Sequence, residues 1–294
     1  MRFELQPRLH RRPGLIGSRL SPGRASAIFP APPCRSSRLL LAAALALTAC
    51  ERGAPEPPAP PPAASTAAPS GPPEAAGVRY VEHLTGGASA GDRLPLVVAI
   101  HGLGDRPESF VKVFSSLGAR ARLVVPYGEP WREGYSWFTP GSLDDPPALA
   151  DGTARAADRL AAMIEAISRA RPTAGKAIVT GFSQGGMLSF TLAVRHPEVV
   201  GAAFPVGGLI APALVPASWP MAAAAPPIRA FHGAADERVP VTRARASVEK
   251  LRALGLDAKV TEYPGVGHMI PPLMRAELLA AIAEAVARAE QPAR

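Results

Sequence analysis

Cysteine is almost absent from this chain: 294 residues hold only Cys34 and Cys50, both in the first sixth. Everything beyond residue 50 therefore has no disulfide, no thiolate nucleophile and no Cys-ligated zinc. Acidic residues are equally scarce at the start, where residues 1–50 carry eight arginines against Glu4 alone. That segment holds +7 of the formal net charge of +8. The rest of the chain is close to neutral, so the basic folded face that nucleic-acid binding needs is not implied. Charged residues make up 19% and apolar residues 47% of the chain. A disordered polyelectrolyte is excluded, and one large core is within reach. Three motifs are also missing: a G-x-x-x-x-G-K-[ST] phosphate loop, a G-x-G-x-x-G opening a helix, and an H-E-x-x-H metal pair. Neither a metal nor another cofactor is expected.

The N-terminal region has its own logic. Residues 39–47 (LLLAAALAL) form an apolar run directly after Arg35-Ser36-Ser37-Arg38. Positive charge, a short apolar stretch and then small residues make a secretory signal. Nine residues are too few for a membrane-spanning helix, which takes about 20. The run ends in Leu47-Thr48-Ala49-Cys50, which resembles a bacterial lipobox, in which the cysteine becomes the lipidated first residue. Residues 51–77 then carry nine prolines among many alanines, a composition that favours an extended spacer over a core. The expected organisation is a signal over 1–49, lipidated Cys50 with its tether over 50–77, and a globular body over 78–294. The chain would be exported and anchored to a bacterial cell-envelope membrane.

From Val78 onward the pattern alternates. Val78–Leu84 reads as an edge strand, and 94–100 (LPLVVAI) as a buried strand running into His101-Gly102. Pro107–Leu117 reads as a helix opened by proline. Arg122–Pro126 is a strand, and Thr153–Arg171 a helix with Leu160, Ile164 and Ile167 on one face. Lys176–Gly181 is a strand, Gln184–Arg195 a helix, and Val200–Val206 and Ile228–Phe231 are strands. Thr242–Ala253 is a helix, Ala258–Tyr263 a strand, and Arg275–Ala289 a closing helix. Near-continuous apolar strands alternating with helices indicate a mainly parallel α/β sheet covered on both faces.

The strongest chemical signal is Gly181-Phe182-Ser183-Gln184-Gly185 between a strand and a helix. Two glycines permit a cramped turn that lifts Ser183 above the sheet, and the following helix aims its amides at developing negative charge. A serine nucleophile needs a base, and that base needs an orienting acid. On such folds the chain order is serine, acid, histidine. His268 sits in a glycine-rich loop after the last strand and fits the base. His232 precedes the acid position and reads as structural, and His196 reads as a helix C-terminal cap. Asp236 follows the Ile228–Phe231 strand and fits the acid; Glu237 beside it reads as a solvated charge. The oxyanion donors would be the backbone N–H of Gln184 and, from His101-Gly102-Leu103-Gly104-Asp105, that of Leu103.

These residues resemble a known family. HGLGD (101–105), GFSQGGMLS (181–189), HGAADERVP (232–240) and YPGVGH (263–268) look like the phospholipase/carboxylesterase group of α/β-hydrolases, which includes acyl-protein thioesterases. The likeness spans about residues 92–290. It implies an α/β-hydrolase fold without a large cap domain, a triad of Ser183, Asp236 and His268, and an oxyanion hole at Leu103 and Gln184. Tyr135-Ser136-Trp137-Phe138 resembles the family's Trp-Phe-Asp loop, with Thr139 in place of the Asp, so Trp137 and Phe138 are expected at the acyl site. The expected activity is hydrolysis of short-to-medium acyl esters on a small-molecule substrate. A serine peptidase on the same fold and a non-catalytic binding lipoprotein are the alternatives. The segment 207–227 carries Leu209, Ile210, Leu214 and Trp219. It is too short for a lid domain and is expected to border an open apolar groove.

Overall fold

Every residue of the strand Leu94–Ile100 is buried, as its unbroken apolar sequence requires. Leu96, Val98 and Ile100 enter one core cluster, and Val97 and Ala99 enter another on the opposite face. The computed structural model describes residues 71–219 and 225–291. Cys50, the leader and the tether up to residue 70 lie outside the described residues.

In chain order the elements are β1 (Glu74–Ala75), β2 (Val78–Thr85), β3 (Leu94–Ile100), α1 (Pro107–Phe110), β4 (Ala121–Pro126), β5 (Glu129–Trp131) and β6 (Gly134–Ser136). There follow α2 (Pro146–Ala170), β7 (Thr173–Phe182), α3 (Gln184–Arg195), β8 (Val200–Val206), β9 (Ile228–Gly233), α4 (Val241–Ala253), β10 (Ala258–Tyr263) and α5 (Pro272–Ala289). The main sheet has eight strands in the order β1-β2-β4-β3-β7-β8-β9-β10. Pairing is parallel from β4 through β10, and antiparallel only at β1–β2 and β2–β4. One face is packed by α2, α3 and α4 through Leu160, Leu188 and Leu251, among others. The other is covered by α5 and the 107–117 segment through Phe114, Leu278 and Ile282. This is the α/β-hydrolase architecture, and no large cap domain stands among the described residues.

Four local details differ from the sequence expectation. Residues 74–75 were assigned to the tether, yet Glu74–Ala75 pairs with β2, so β2 is not the edge. The link is a two-residue turn in which Ala76 and Gly77 both have positive φ, at 48° and 76°, the geometry that suits a tight hairpin. The helix expected over 107–117 is one α turn, α1, followed by a 3₁₀ turn over Val111–Phe114. Helix α2 begins seven residues before the expected Thr153. Pro146 stands in its first turn and the Asp145 carboxylate accepts the Ala148 N–H at 3.1 Å, so the Pro-Pro pair opens the helix. The β5–β6 hairpin was not foreseen at all, and it bears directly on the site.

Candidate active site

The turn between β7 and α3 is built by close approach. A Cβ on Gly185 would lie 1.9 Å from the Ile100 carbonyl oxygen, and one on Gly181 would lie 2.6 Å from the same atom. Only glycine lets the end of β3 and the turn pack this tightly. Ser183 is forced to φ 57° and ψ −115°, a left-handed conformation costing on the order of 1–3 kcal/mol. The strain is held by the Ser183 N–H donating to Val206 O at 2.9 Å, and Ser183 O accepts the Met187 N–H at 3.0 Å.

His268 and Asp236 meet Ser183 from the loops after β10 and β9. The His268 Nε2 lies 2.9 Å from Ser183 Oγ, and its Nδ1 lies 2.7 Å from Asp236 Oδ2. A carboxylate only accepts, so Nδ1 carries the proton and the Nε2 lone pair faces the hydroxyl. The Asp236 side chain is 1% exposed. Its Oδ1 accepts the Arg238 N–H at 3.0 Å and the Val239 N–H at 2.9 Å. His232 sits behind it, donating Nε2–H to Val239 O at 2.7 Å, with the same nitrogen 3.5 Å from Asp236 Oδ2. It thus pins the turn that holds the carboxylate, a positioning placement in keeping with a structural reading. His196 is the C-cap residue of α3, and its ring reaches Asp158 at 2.8 Å.

Leu103 and Gln184 both line the cleft beside Ser183. A Cβ on Gly102 would lie 3.4 Å from the Ser183 Cβ, so the following peptide is next to the hydroxyl. The Leu103 N–H makes no hydrogen bond among the described residues, and the Gln184 N–H is a first-turn donor of α3. His101 aims the former. It is fully buried, and its Nδ1 donates to Gly102 O at 2.8 Å. That carbonyl and the Leu103 N–H belong to one planar peptide, so holding the oxygen orients the donor. Burial pushes the His101 pKa below the ordinary histidine value, which keeps the ring neutral.

The unforeseen hairpin clamps the same loop. Gly104 N–H donates to Tyr135 O at 2.8 Å, Tyr135 N–H to Asp105 O at 3.1 Å, and Trp137 Nε1–H to His101 O at 3.0 Å. Trp137 was expected at the acyl site, but it does not reach the cleft wall. Its indole is consumed behind the 101–105 loop, with its ring centroid 5.0 Å from that of His101. Phe138 does line the cleft, as does Thr139.

The cleft encloses about 520 Å³, within the range of small-molecule sites. Its apolar wall comes from Phe138, Leu143, Leu149, Met187 and Val239. The segment 207–227 was expected to supply this wall. Instead, Leu209 packs with Leu149 and Met187 in a small core cluster, and with Ile210 it borders a separate cavity of about 290 Å³. Leu149 was missed because it belongs to the unread first turn of α2. Met187 was legible in principle, since it follows Ser183 by one helical turn. A hydroxyl on an oriented imidazole, with two free amides alongside, can perform acyl transfer.

The sequence profile of the phospholipase/carboxylesterase family matches residues 88–284. A stretch of 98 residues is 32% identical to acyl-protein thioesterase 1 of Gibberella zeae, covering 32% of this chain and 42% of that protein. The chain thus spans about two fifths of the length of the curated relative it matches. Among solved structures, esterase PE8 superposes with a TM-score of 0.57 at 28% identity, over 68% of this chain and 98% of its own. Acyl-protein thioesterase 2 of Zea mays shares the fold at a TM-score of 0.54 and 20% identity, over 70% of this chain and 99% of its own.

Proposed function

The chain belongs to the phospholipase/carboxylesterase family of hydrolases, and from that membership we propose that it is a serine esterase acting on short-to-medium acyl esters. The observation that carries the reading is the hydrogen-bonded series from Ser183 Oγ through His268 to the buried Asp236 carboxylate, at 2.9 and 2.7 Å. In this mechanism Ser183 Oγ attacks the ester carbonyl carbon while His268 Nε2 takes its proton. The carbonyl oxygen becomes an oxyanion and accepts hydrogen bonds from the Leu103 and Gln184 N–H groups. Collapse breaks the bond to the alcohol oxygen, which leaves with the proton from Nε2. Water, deprotonated by the same nitrogen, then attacks the acyl-enzyme and regenerates Ser183. Asp236 holds the imidazole throughout. No step calls for a metal.

The test combines labelling with turnover. A fluorophosphonate probe is expected to label the parent protein at Ser183. Ser183→Ala should lose labelling and cut kcat on p-nitrophenyl butyrate by about 10⁴-fold, with the circular-dichroism spectrum unchanged. Activity within tenfold of the parent would remove Ser183 from its role, and a parent that neither labels nor turns over would favour a binding lipoprotein.

The same reading places the protein at a bacterial cell-envelope membrane through acylated Cys50, supported by the lipobox-like LTAC and the proline-rich stretch after it. Among the described residues no helix is long and apolar enough to cross a membrane. Cys50→Ala should abolish incorporation of radiolabelled palmitate; equal incorporation by mutant and parent rejects the anchor.

A further inference from the structure

Arg238 stands two residues beyond Asp236, on the loop from β9 to α4. Its backbone is fixed to the triad, because its N–H is one of the two amides on Asp236 Oδ1. The residue is exposed and lines the cleft shared by Ser183 and His268. Among the described residues the guanidinium has neither a carboxylate partner nor a hydrogen bond. Arginines at Arg120, Arg195, Arg229 and Arg245, by contrast, each hold an acid. Apart from His268, the cleft's other ionisable wall residue is Asp105, whose Oδ1 accepts the Arg106 N–H at 2.7 Å and which forms no ion pair with Arg238 among the described residues.

An unpaired planar cation beside an apolar cleft has the chemistry of carboxylate or phosphate recognition. We propose that Arg238 makes this site selective for esters carrying an anionic group within side-chain reach of the scissile carbonyl. The inference rests on the esterase reading of Ser183. An ion pair at a half-open cleft lies between the bulk-water and near-surface limits of Coulomb attraction. That sets the preference at about tenfold, equivalent to about 1.4 kcal/mol.

The experiment measures kcat/KM by pH-stat on matched pairs. Monoethyl adipate against ethyl hexanoate places the anion on the acyl side. Butyryloxyacetate and 2-butyryloxyethyl phosphate against 2-methoxyethyl butyrate place a carboxylate or a phosphate on the alcohol side. The parent should favour at least one anionic probe about tenfold, and added salt should reduce that preference. Arg238→Gln should bring the ratio to about one, Arg238→Lys should retain part of it, and Arg238→Glu should shift preference toward butyrylcholine. A ratio near one for all three probes in the parent, or a preference that survives Arg238→Gln, overturns the assignment. A parent that hydrolyses neutral esters without charge preference overturns this inference and leaves the esterase reading standing. A parent that hydrolyses none overturns both.

Discussion

Gln184 Oε1 lies 3.0 Å from the Trp137 backbone nitrogen, joining the first residue of α3 to a loop 47 positions earlier. The same amide accepts from Ser136 Oγ at 3.2 Å and donates through Nε2 to Phe138 O at 3.2 Å. One buried side chain therefore ties the Ser183 turn to the segment that presents Phe138 to the cleft. Its backbone N–H is meanwhile left free at the start of α3.

Removing that amide should be felt in two ways. Gln184→Ala leaves the half-buried Trp137 N–H without its acceptor, a loss of about 0.5–1.5 kcal/mol. For a domain of this size that is a fall in Tm of several degrees. The released loop should also raise KM on p-nitrophenyl hexanoate, while the backbone donor survives and kcat changes less. An unchanged Tm and KM would show that the clamp does nothing.

Gly152 offers a test in which two effects have opposite sign. Inside helix α2, alanine ordinarily gains about 1 kcal/mol over glycine. Here a Cβ would fall 2.6 Å from the Phe138 Cβ. Gly152→Ala should therefore displace Phe138 from the cleft, raising KM for a hexanoyl ester threefold or more without raising Tm. A stabilised variant with parental KM would mean that Phe138 has room to spare.

The pH dependence of stability should carry a signature of His101. Burial holds its folded pKa below the ordinary value, and this outweighs the opposing influence of Gly102 O, Asp105 and Glu108. The unfolded chain takes up a proton near pH 6.5 and the folded one resists it. Stability is thus fully present above that value and falls as pH drops through and below it. Between pH 7 and 5 the parent's Tm should decline more steeply than that of His101→Gln. Equal slopes in thermal scans would place the titration elsewhere.

The cleft dimensions set an acyl preference. Each methylene buried against Leu149, Met187 and Val239 contributes at most about 0.8 kcal/mol. kcat/KM should rise over a few carbons and level off near C8, and Met187→Trp should move the plateau to shorter chains. Emulsified triglyceride should give no jump in rate. A peak at C16, or activation above the critical micelle concentration, would contradict a cleft of this size.

Much of the candidate site could be read before any coordinates. The glycines at 181 and 185 state their reason locally, because a strand-to-helix reversal that tight has no room for a side chain. Helix α3 and strands β3, β8 and β10 have the bounds that the sequence predicts. Helix α2 was misjudged at its start because prolines stop helices everywhere except in the first turn, and periodicity weakens there. Trp137 was misassigned because an aromatic residue in a motif does not declare which way its ring turns. Only the His101 carbonyl, 36 positions earlier, takes its indole N–H.

By itself the sequence determined the alternation of strands and helices, the strained serine turn, and the order of serine, acid and histidine along the chain. These follow from backbone sterics and from apolar periodicity, which act over a few residues. The tertiary structure alone decided which distant groups touch: His268 meets Ser183 across 85 positions and Asp236 across 32. The parallel order β3-β7-β8-β9-β10 gathers the carboxyl ends of those strands at one edge. Loops that are unrelated in sequence converge there, so the first turn of α2 and the loop after β6, rather than Leu209 and Ile210 after β8, wall the cleft. Local propensity carries no term for such meetings. They are fixed by how the sheet twists and packs its helices, and by which side chains are left facing the gap.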